Sequence, residues 1–131
     1  MSNIPTVQAI YAAFGQGDVP TILGHLDDDI EWDMDTPSFG LPWYAPRHGI
    51  EQIPGFFHDL ANSVELYKFE PVNLLEGGNQ VATVLQVGLE MRTTGQRVED
   101  IEIHLWTFGP HGKVTRFAHV MDRHSQVLAY F

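Results

Sequence analysis

The spacing of apolar residues predicts two helices near the start of the chain. The apolar side chains of the first helix recur at positions i, i+3, i+4 and i+7, namely Val7, Ile10, Tyr11 and Phe14. Glycines at positions 15 and 17 follow where such a helix would end. Asp18 is then a candidate N-cap for a second, short helix with Pro20 in its first turn. This helix ends at the acidic run 27–29, which we expect to be a solvated turn.

Residues 30–35 alternate between apolar and acidic side chains, which predicts a short, half-buried strand. Trp32 and Met34 fall on its inward face, and Asp33 and Asp35 fall on the opposite face. The two aspartates have the spacing of a metal-ligand pair. We expect no metal site there, because they point away from the apolar face and no histidine triplet lies nearby to complete one.

The segment 36–46 contains prolines and a glycine, which exclude regular structure and predict a loop. We interpret this loop as a candidate lid, because the adjacent aromatics Trp43 and Tyr44 need cover from solvent. A third helix is predicted over residues 50–62, with Phe56 on its apolar face.

The second half of the chain consists of long alternating runs separated by turn-forming residues. These runs predict four antiparallel strands in a meander, at about 64–75, 80–92, 96–108 and 113–121. A strand of about 13 residues spans roughly 43 Å, which is longer than a small domain is wide. The sheet must therefore twist and curl over the early helices. We predict an α+β fold in which a strongly curved antiparallel sheet and three helices close into a cone.

Alternation along these strands indicates which side chains point into the cone. Odd positions of the run 80–92 are apolar and face inward. In the run 96–108 we place the even positions inward, because a buried Trp106 covers roughly 150 to 250 Å². The side chains predicted to point inward from the last three strands include Leu85, Leu89, Glu102, His104, Trp106, Phe117 and His119.

This choice leaves Ile101, Ile103 and Leu105 on the convex face of the sheet. Together with neighbouring apolar residues they would form a patch of several hundred Å², which is more than soluble monomers usually expose. The pattern therefore favours a homodimer that buries this face.

Composition narrows the possible functions. The chain has 131 residues and a mass of 14.8 kDa, which predicts a single domain over residues 1–131. Seven basic and 17 acidic residues give a formal charge of −10, which disfavours nucleic acid and anionic membranes as partners. The absence of cysteine excludes disulfides and thiolate nucleophiles. We expect a cytoplasmic protein, because the chain has neither a signal-peptide pattern nor an apolar run of membrane-spanning length.

His104 and His119 carry the candidate chemistry, because they are predicted to point inward from neighbouring strands. An imidazole transfers protons near neutral pH, and burial lowers its pKa so that it stays a neutral base. The expected lining of the pocket is apolar and aromatic apart from Glu102, and comprises Trp32, Met34, Tyr44, Phe56, Leu85, Leu89, Glu102, Trp106 and Phe117. Two hydrogen-bonded core histidines, or a binding pocket without turnover, would give the same pattern.

Four segments of the chain resemble a known family. The motifs Y-A-A-F-x-x-G-D at 11–18, L-x-x-D-I-E-W at 26–32, G-I followed by F-F within 49–57, and H-x-W-T followed by G-K-V within 104–114 are similar to those of SnoaL-like polyketide cyclases. The same motifs resemble ketosteroid isomerase-related proteins of the NTF2-like superfamily. The resemblance covers nearly the whole chain and implies the cone-shaped α+β fold.

When the catalytic positions of these families are matched to this sequence residue by residue, the resemblance implies that different side chains occupy them. The general-base aspartate of the ketosteroid isomerases falls on Met34, their oxyanion-hole tyrosine on Ile10 and their oxyanion-hole acid on His104. The acid/base position of the polyketide cyclases lies near His119, where they carry an aspartate. A histidine pair thus replaces the usual carboxylates, as in the scytalone dehydratase branch, and classical steroid isomerisation is not expected.

The resemblance implies a cofactor-independent enzyme acting on a small, mostly apolar carbonyl compound. In this hypothesis His119 removes a proton beside the carbonyl and His104 donates a hydrogen bond to the resulting enolate. Three alternatives stay open: a dehydratase that uses the same histidine pair, a non-catalytic binding protein for an apolar metabolite, and a dimeric interaction domain with a collapsed, dry interior.

Overall fold

The structure, a computed structural model, describes residues 2–131. The helices are α1 (Ile4–Gly15), α2 (Val19–Leu23), α3 (Ile53–Ser63) and α4 (Arg123–Tyr130), with short 3-10 turns at Pro42–Tyr44 and Ile50–Gln52. The strands are β1 (Leu26–Trp32), β2 (Arg47–His48), β3 (Val64–Gly77), β4 (Gln80–Met91), β5 (Arg97–Phe108) and β6 (Val114–Val120).

Residues 2–131 form a six-stranded sheet in the order β2-β1-β6-β5-β4-β3. Strands β3 to β6 make the predicted antiparallel meander, and β1 joins its edge by pairing parallel to β6. The pairing of β3 with β4 shifts register twice, between Leu66 and Lys68 and between Pro71 and Asn73. Such irregularities bend a strand and increase its twist. The predicted α+β fold with a curved antiparallel sheet is confirmed.

The hydrophobic core lies between the concave face of the sheet and the helices. Helix α1 buries Val7, Ile10 and Ala13, and α3 buries Ile53 and Phe56. On the sheet, the odd positions of β4 and the even positions of β5 from residue 102 onward are buried, as the alternation predicts. Because the even positions of β5 point inward, the polar side chains of Glu102 and His104 lie in this core.

Two local predictions were wrong, the solvated turn at 27–29 and the strand over 30–35. The acidic run 27–29 is not a turn but lies within β1, which begins at Leu26 and ends at Trp32 instead of spanning 30–35. The last residues of the chain form α4, whose N-cap Asp122 accepts a hydrogen bond from the backbone N–H of Ser125. The sequence pattern predicted no role for helix α4, although its Arg123 and Gln126 belong to the site.

Arg47 holds the proline-rich loop in place. Its guanidinium donates to the backbone carbonyls of Pro42, Trp43 and Ala45 at 3.3–3.4 Å and pairs with Asp59 of α3 at 2.6 Å. Since Arg47 lies on β2, directly opposite Trp32 of β1, the loop is tied to both the sheet and α3. The loop aromatics are thereby fixed as part of the cone's wall.

Candidate functional site

His104 and His119 face each other across the β5–β6 pair. They are directly opposite in the antiparallel register, and their ring centroids are 4.9 Å apart with the planes nearly perpendicular. Only 5% of His104 and 6% of His119 is exposed. The pairing of the strands therefore places two buried imidazoles side by side.

Asp33 contacts both the imidazole ring and the backbone N–H of His119. Its Oδ2 lies 2.7 Å from Nδ1 of His119, and its Oδ1 accepts the backbone N–H of the same residue at 2.8 Å. Burial raises the pKa of Asp33, but the charge and hydrogen bonds of His119 outweigh burial, so the pKa lies below its usual range. An ionised carboxylate only accepts hydrogen bonds. Nδ1 of His119 therefore carries a proton, and in the neutral ring the lone pair is on Nε2.

The inward orientation of Asp33 reverses the sequence prediction. Strand β1 ends at Trp32, and Asp33 takes a left-handed backbone conformation with φ of 54°. This turn interrupts the alternation, so Asp33 points into the core while Met34 points to solvent and is 42% exposed. Asp35 is exposed and pairs with Arg116. The two aspartates therefore lie on different sides of the chain, and local spacing gave no indication of this.

A tyrosine hydroxyl fixes the tautomer of His104. The Tyr11 hydroxyl oxygen accepts the Nε1–H of Trp106 at 3.1 Å and lies 2.8 Å from Nδ1 of His104. Burial raises the pKa of Tyr11 above its ordinary value, so the hydroxyl keeps its proton and donates it to Nδ1. Burial also lowers the pKa of His104, which keeps that ring neutral. The remaining proton of His104 is therefore on Nε2.

The resemblance places the oxyanion-hole tyrosine of the ketosteroid isomerases at Ile10, and the structure shows a hydroxyl from the neighbouring Tyr11 in contact with His104. Ile10 lines the pocket with an aliphatic side chain, whereas Tyr11 supplies the hydroxyl. The apolar stripe of α1 indicated which helix face is buried. It could not indicate that Tyr11 meets a residue 93 positions further along the chain.

Glu102 is the second buried carboxylate of the site. Its Oε1 lies 3.5 Å from Nε2 of His104, and its Oε2 lies 3.5 Å from Nε2 of Gln126. Both distances exceed the usual 2.7–3.2 Å of a hydrogen bond with an N–H donor. Burial raises the pKa of Glu102, but His104 and the charge of His119 outweigh burial, and the pKa is lowered. Glu102 is thus an ionised group with only long contacts.

Helix α4 closes this end of the cone with Arg123 and Gln126. The Arg123 guanidinium lies 3.8 Å from Oδ1 of Asp33, donates to the His119 carbonyl at 3.4 Å and stacks 4.7 Å from the centre of the Tyr44 ring. A buried cation beside Asp33 helps to keep that carboxylate ionised. An Asp122-x-x-Ser125 capping pattern was the sequence feature that could have revealed α4.

The histidine pair borders an apolar pocket between the sheet and helices α1 and α3. The cavity volume is about 60 Å³, and the whole space between the lining side chains, including the open mouth, is about 600 Å³. Partly exposed Phe14, Phe57 and Phe69 lie on its wall, whereas Glu102 and the histidines are buried. A narrow pocket with aromatic walls suits a flat, mostly apolar molecule.

Seven of the nine predicted binding residues line this pocket, namely Trp32, Tyr44, Phe56, Leu89, Glu102, Trp106 and Phe117. The prediction was wrong for Met34, which the turn at Asp33 directs to solvent. It was also wrong for Leu85. That residue points inward and is fully buried, but it belongs to the packed core beside the pocket.

We expect the substitution Tyr11→Phe to lower the free energy of unfolding by about 1–3 kcal/mol, because the buried Trp106 N–H and His104 Nδ1 both lose their partner. Urea denaturation measures this difference. Tyr67→Phe is the matched control, since Tyr67 is 39% exposed on β3 and the loss of its hydroxyl should cost less than about 0.5 kcal/mol. Equal losses in the two variants would contradict the bridging role of Tyr11.

The curved sheet, the helices against its concave face and the apolar pocket define the NTF2-like class of α+β folds. The chain belongs to the SnoaL-like domain family, which matches residues 7–117.

Solved structures with low sequence identity share this fold. An NTF2-like protein from Burkholderia thailandensis E264 is 23% identical, with a TM-score of 0.86 over 100% of this chain and 98% of that one. TerC, co-crystallised with polyporic acid, is 23% identical, with a TM-score of 0.80 over 98% and 97%. A protein from Pseudomonas putida KT2440, provisionally assigned as a polyketide cyclase, is 18% identical, with a TM-score of 0.76 over 98% of both chains.

No protein of curated function matches the chain significantly. Among residues 2–131, every helix is too short or too polar to cross a membrane.

Proposed function

We propose that this protein is a cofactor-independent enzyme that removes a proton from the carbon beside the carbonyl of a small, mostly apolar compound. The observation that carries this proposal is the contact between His119 and Asp33 at 2.7 Å. It leaves the basic Nε2 of His119 free, next to an apolar pocket.

His119 is the proposed general base. Asp33 accepts the Nδ1 proton, holds the ring in one orientation and stabilises the imidazolium that forms when Nε2 takes a proton. Arg123 lies behind Asp33 and keeps the carboxylate charged. His119 can then return the transferred proton to another carbon of the guest, which completes an isomerisation. If the enolate carbon instead attacks a second carbonyl of the guest, His119 can protonate the alkoxide oxygen that forms, which completes a cyclisation.

His104 is the proposed hydrogen-bond donor to the substrate oxygen. Tyr11 donates to its Nδ1 and so keeps a proton on Nε2. The 3.5 Å contact with Glu102 leaves this N–H available for a closer acceptor. A preorganised donor at the position where charge develops is worth roughly 10²- to 10³-fold in rate.

Deuterium exchange tests the proposal without knowledge of the natural substrate. In D₂O containing EDTA, the protein should catalyse deuterium incorporation at the carbons beside the carbonyl of 2-tetralone, a flat bicyclic ketone, as followed by NMR. Heat-denatured protein gives the background rate. Retention of 2-tetralone without exchange above that background would favour a binding protein instead.

The Asp33–His119 pair also favours a second candidate, a dehydratase. After His119 takes the proton beside the carbonyl, the imidazolium can return it to a hydroxyl on the next carbon, which leaves as water. The probe 4-hydroxy-2-tetralone tests this, because its loss of water gives 2-naphthol, whose absorbance and fluorescence are easily followed. Formation of 2-naphthol that depends on His119 would support the dehydratase.

A homodimer through the convex face of the sheet is part of this proposal. Ile101 is 60% exposed, Ile103 and Leu105 of the same strand are half-buried, and Val120 of β6 is exposed beside them. An apolar face of this kind is covered in most soluble proteins. A second copy of the chain would bury it through a two-fold contact.

We expect Ile103→Lys to convert the dimer into a monomer, because two like charges would meet in the apolar contact. Sedimentation velocity measures the change in mass. Val72→Lys is the control, since Val72 is exposed on β3 at the far edge of the sheet and should leave the mass unchanged. An Ile103→Lys variant that stays dimeric would exclude this interface.

A further inference from the structure

We propose that Glu102, His104 and His119 form a binding site for one divalent transition-metal ion, such as Zn²⁺ or Co²⁺, at the closed end of the pocket. The inference concerns side chains that the proposed function also uses, but it does not require catalysis. It rests on the distances among these three side chains, on the partners behind them and on the charge around them.

The three side chains have the spacing of a metal-ligand set. One ligand atom from each lies within 4.8 Å of the other two, and Oε1 of Glu102 is 3.5 Å from Nε2 of His104. Zinc–ligand bonds of 2.0–2.2 Å at tetrahedral angles place neighbouring ligand atoms about 3.4 Å apart. Two imidazoles and one carboxylate are a common donor set for zinc and other transition metals.

Both histidines have the outer partners that metal-bound histidines require. Nδ1 of His119 donates to Asp33, and Nδ1 of His104 contacts the Tyr11 hydroxyl. A carboxylate or another acceptor on the second ring nitrogen is the usual arrangement around metal-bound imidazoles. When a metal binds His104, the ring proton moves from Nε2 to Nδ1, where the Tyr11 oxygen accepts it. No proton is lost from the ring in this step.

The electrostatics of the closed end favour a cation. The side chains of Asp33 and Glu102 are both buried here, and the guanidinium of Arg123 lies 3.8 Å from Oδ1 of Asp33. Glu102 contacts His104 and Gln126 at 3.5 Å, so both of its carboxylate oxygens can still accept a closer partner. A metal ion bound to Glu102 would give this buried carboxylate an opposite charge at bonding distance.

The fourth coordination position would face the apolar pocket. Three protein ligands with an open position are typical of catalytic zinc sites, in which water or a substrate oxygen is the fourth ligand. A metal on Nε2 of His119 would also occupy the lone pair that the proposed base uses. Zinc should therefore inhibit the deuterium exchange of 2-tetralone, and EDTA should restore it.

Titration of the metal-free protein with Co²⁺ tests the site, because tetrahedral Co²⁺ absorbs visible light far more strongly than the hydrated ion. We expect one equivalent to bind and Zn²⁺ to displace it. Glu102→Gln and His104→Ala should each weaken binding by at least roughly tenfold, because each removes a ligand. Asp33→Asn keeps all three ligands and should weaken binding roughly 10- to 100-fold. His58→Asn, at an exposed histidine of α3, is the matched control and should bind like the wild type.

Absence of one-equivalent Co²⁺ binding by the wild type would overturn the inference. So would unchanged binding in both Glu102→Gln and Asp33→Asn, or loss of binding in His58→Asn. Thermal unfolding without metal identifies any variant that has not folded. If only one of Glu102→Gln and Asp33→Asn folds, unchanged Co²⁺ binding in that variant overturns the inference. Metal binding without any exchange of 2-tetralone would support the metal site and count against the proposed base. Exchange in EDTA without metal binding would support the proposed base and count against the metal site.

Discussion

The variant His119→Asn should lose deuterium exchange of 2-tetralone by roughly 10²- to 10⁴-fold, which is the contribution of a well-placed general base. Asparagine can still donate a hydrogen bond to Asp33 from about the position of Nδ1, but it has no basic atom at the position of Nε2. The change therefore removes the base and preserves its contact with the carboxylate. Initial exchange rates measured by NMR in EDTA give the comparison.

His58→Asn is the control for this prediction. His58 is exposed on α3 and contacts only its neighbour Asn62 among the hydrogen bonds of residues 2–131, so the exchange rate should not change. If His119→Asn retains the wild-type rate while binding 2-tetralone, His119 is not the base. The polar end of the pocket would then act in binding alone.

The variant Asp33→Ala should lose about 3–5 kcal/mol of unfolding free energy, because it leaves the buried Arg123 without its carboxylate. The same change removes the acceptor of both the Nδ1–H and the backbone N–H of His119. Since Asp33 joins the end of β1 to β6 and α4, we also expect faster amide hydrogen exchange in α4. Urea denaturation followed by circular dichroism measures the loss of stability.

Asp35→Ala is the matched control two residues along the chain. Asp35 is exposed and its partner Arg116 lies on the surface, so the loss should be at most about 1 kcal/mol. A similar loss in the two variants would mean that the Asp33 contacts contribute little to folding. The comparison separates a buried ion pair from a surface pair within the same short segment.

The inward positions of β4 and β5 could be predicted because alternation depends only on backbone geometry. In β5, the aliphatic Ile101, Ile103 and Leu105 and the aromatic Trp106 compete for the core. The larger area of Trp106 decides the orientation in favour of the even face, and this brings Glu102 and His104 inside. The sequence thus predicted correctly that the histidines of β5 and β6 would be buried together.

The partners of those histidines could not be predicted in the same way. Asp33 belongs to the alternating segment 30–35, which predicted an outward side chain. It points inward because its own backbone takes a left-handed conformation directly after β1. Tyr11 belonged to an ordinary apolar stripe, and Arg123 to a tail with no assigned role. Each reaches the site through a contact between residues that are distant in the chain, about which local periodicity contains no information.

The sequence by itself determined the α+β architecture, the curved sheet, the membership of the SnoaL-like domain family and the burial of His104 and His119. Periodicity and side-chain area specify the architecture and the burial, because these depend on which faces exclude water, whereas the family follows from the resemblance of four motifs. Only the tertiary structure decided which nitrogen of each imidazole carries a proton. That choice depends on the Asp33 and Tyr11 oxygen atoms, which are brought within hydrogen-bonding distance only when the sheet closes over α1 and α4.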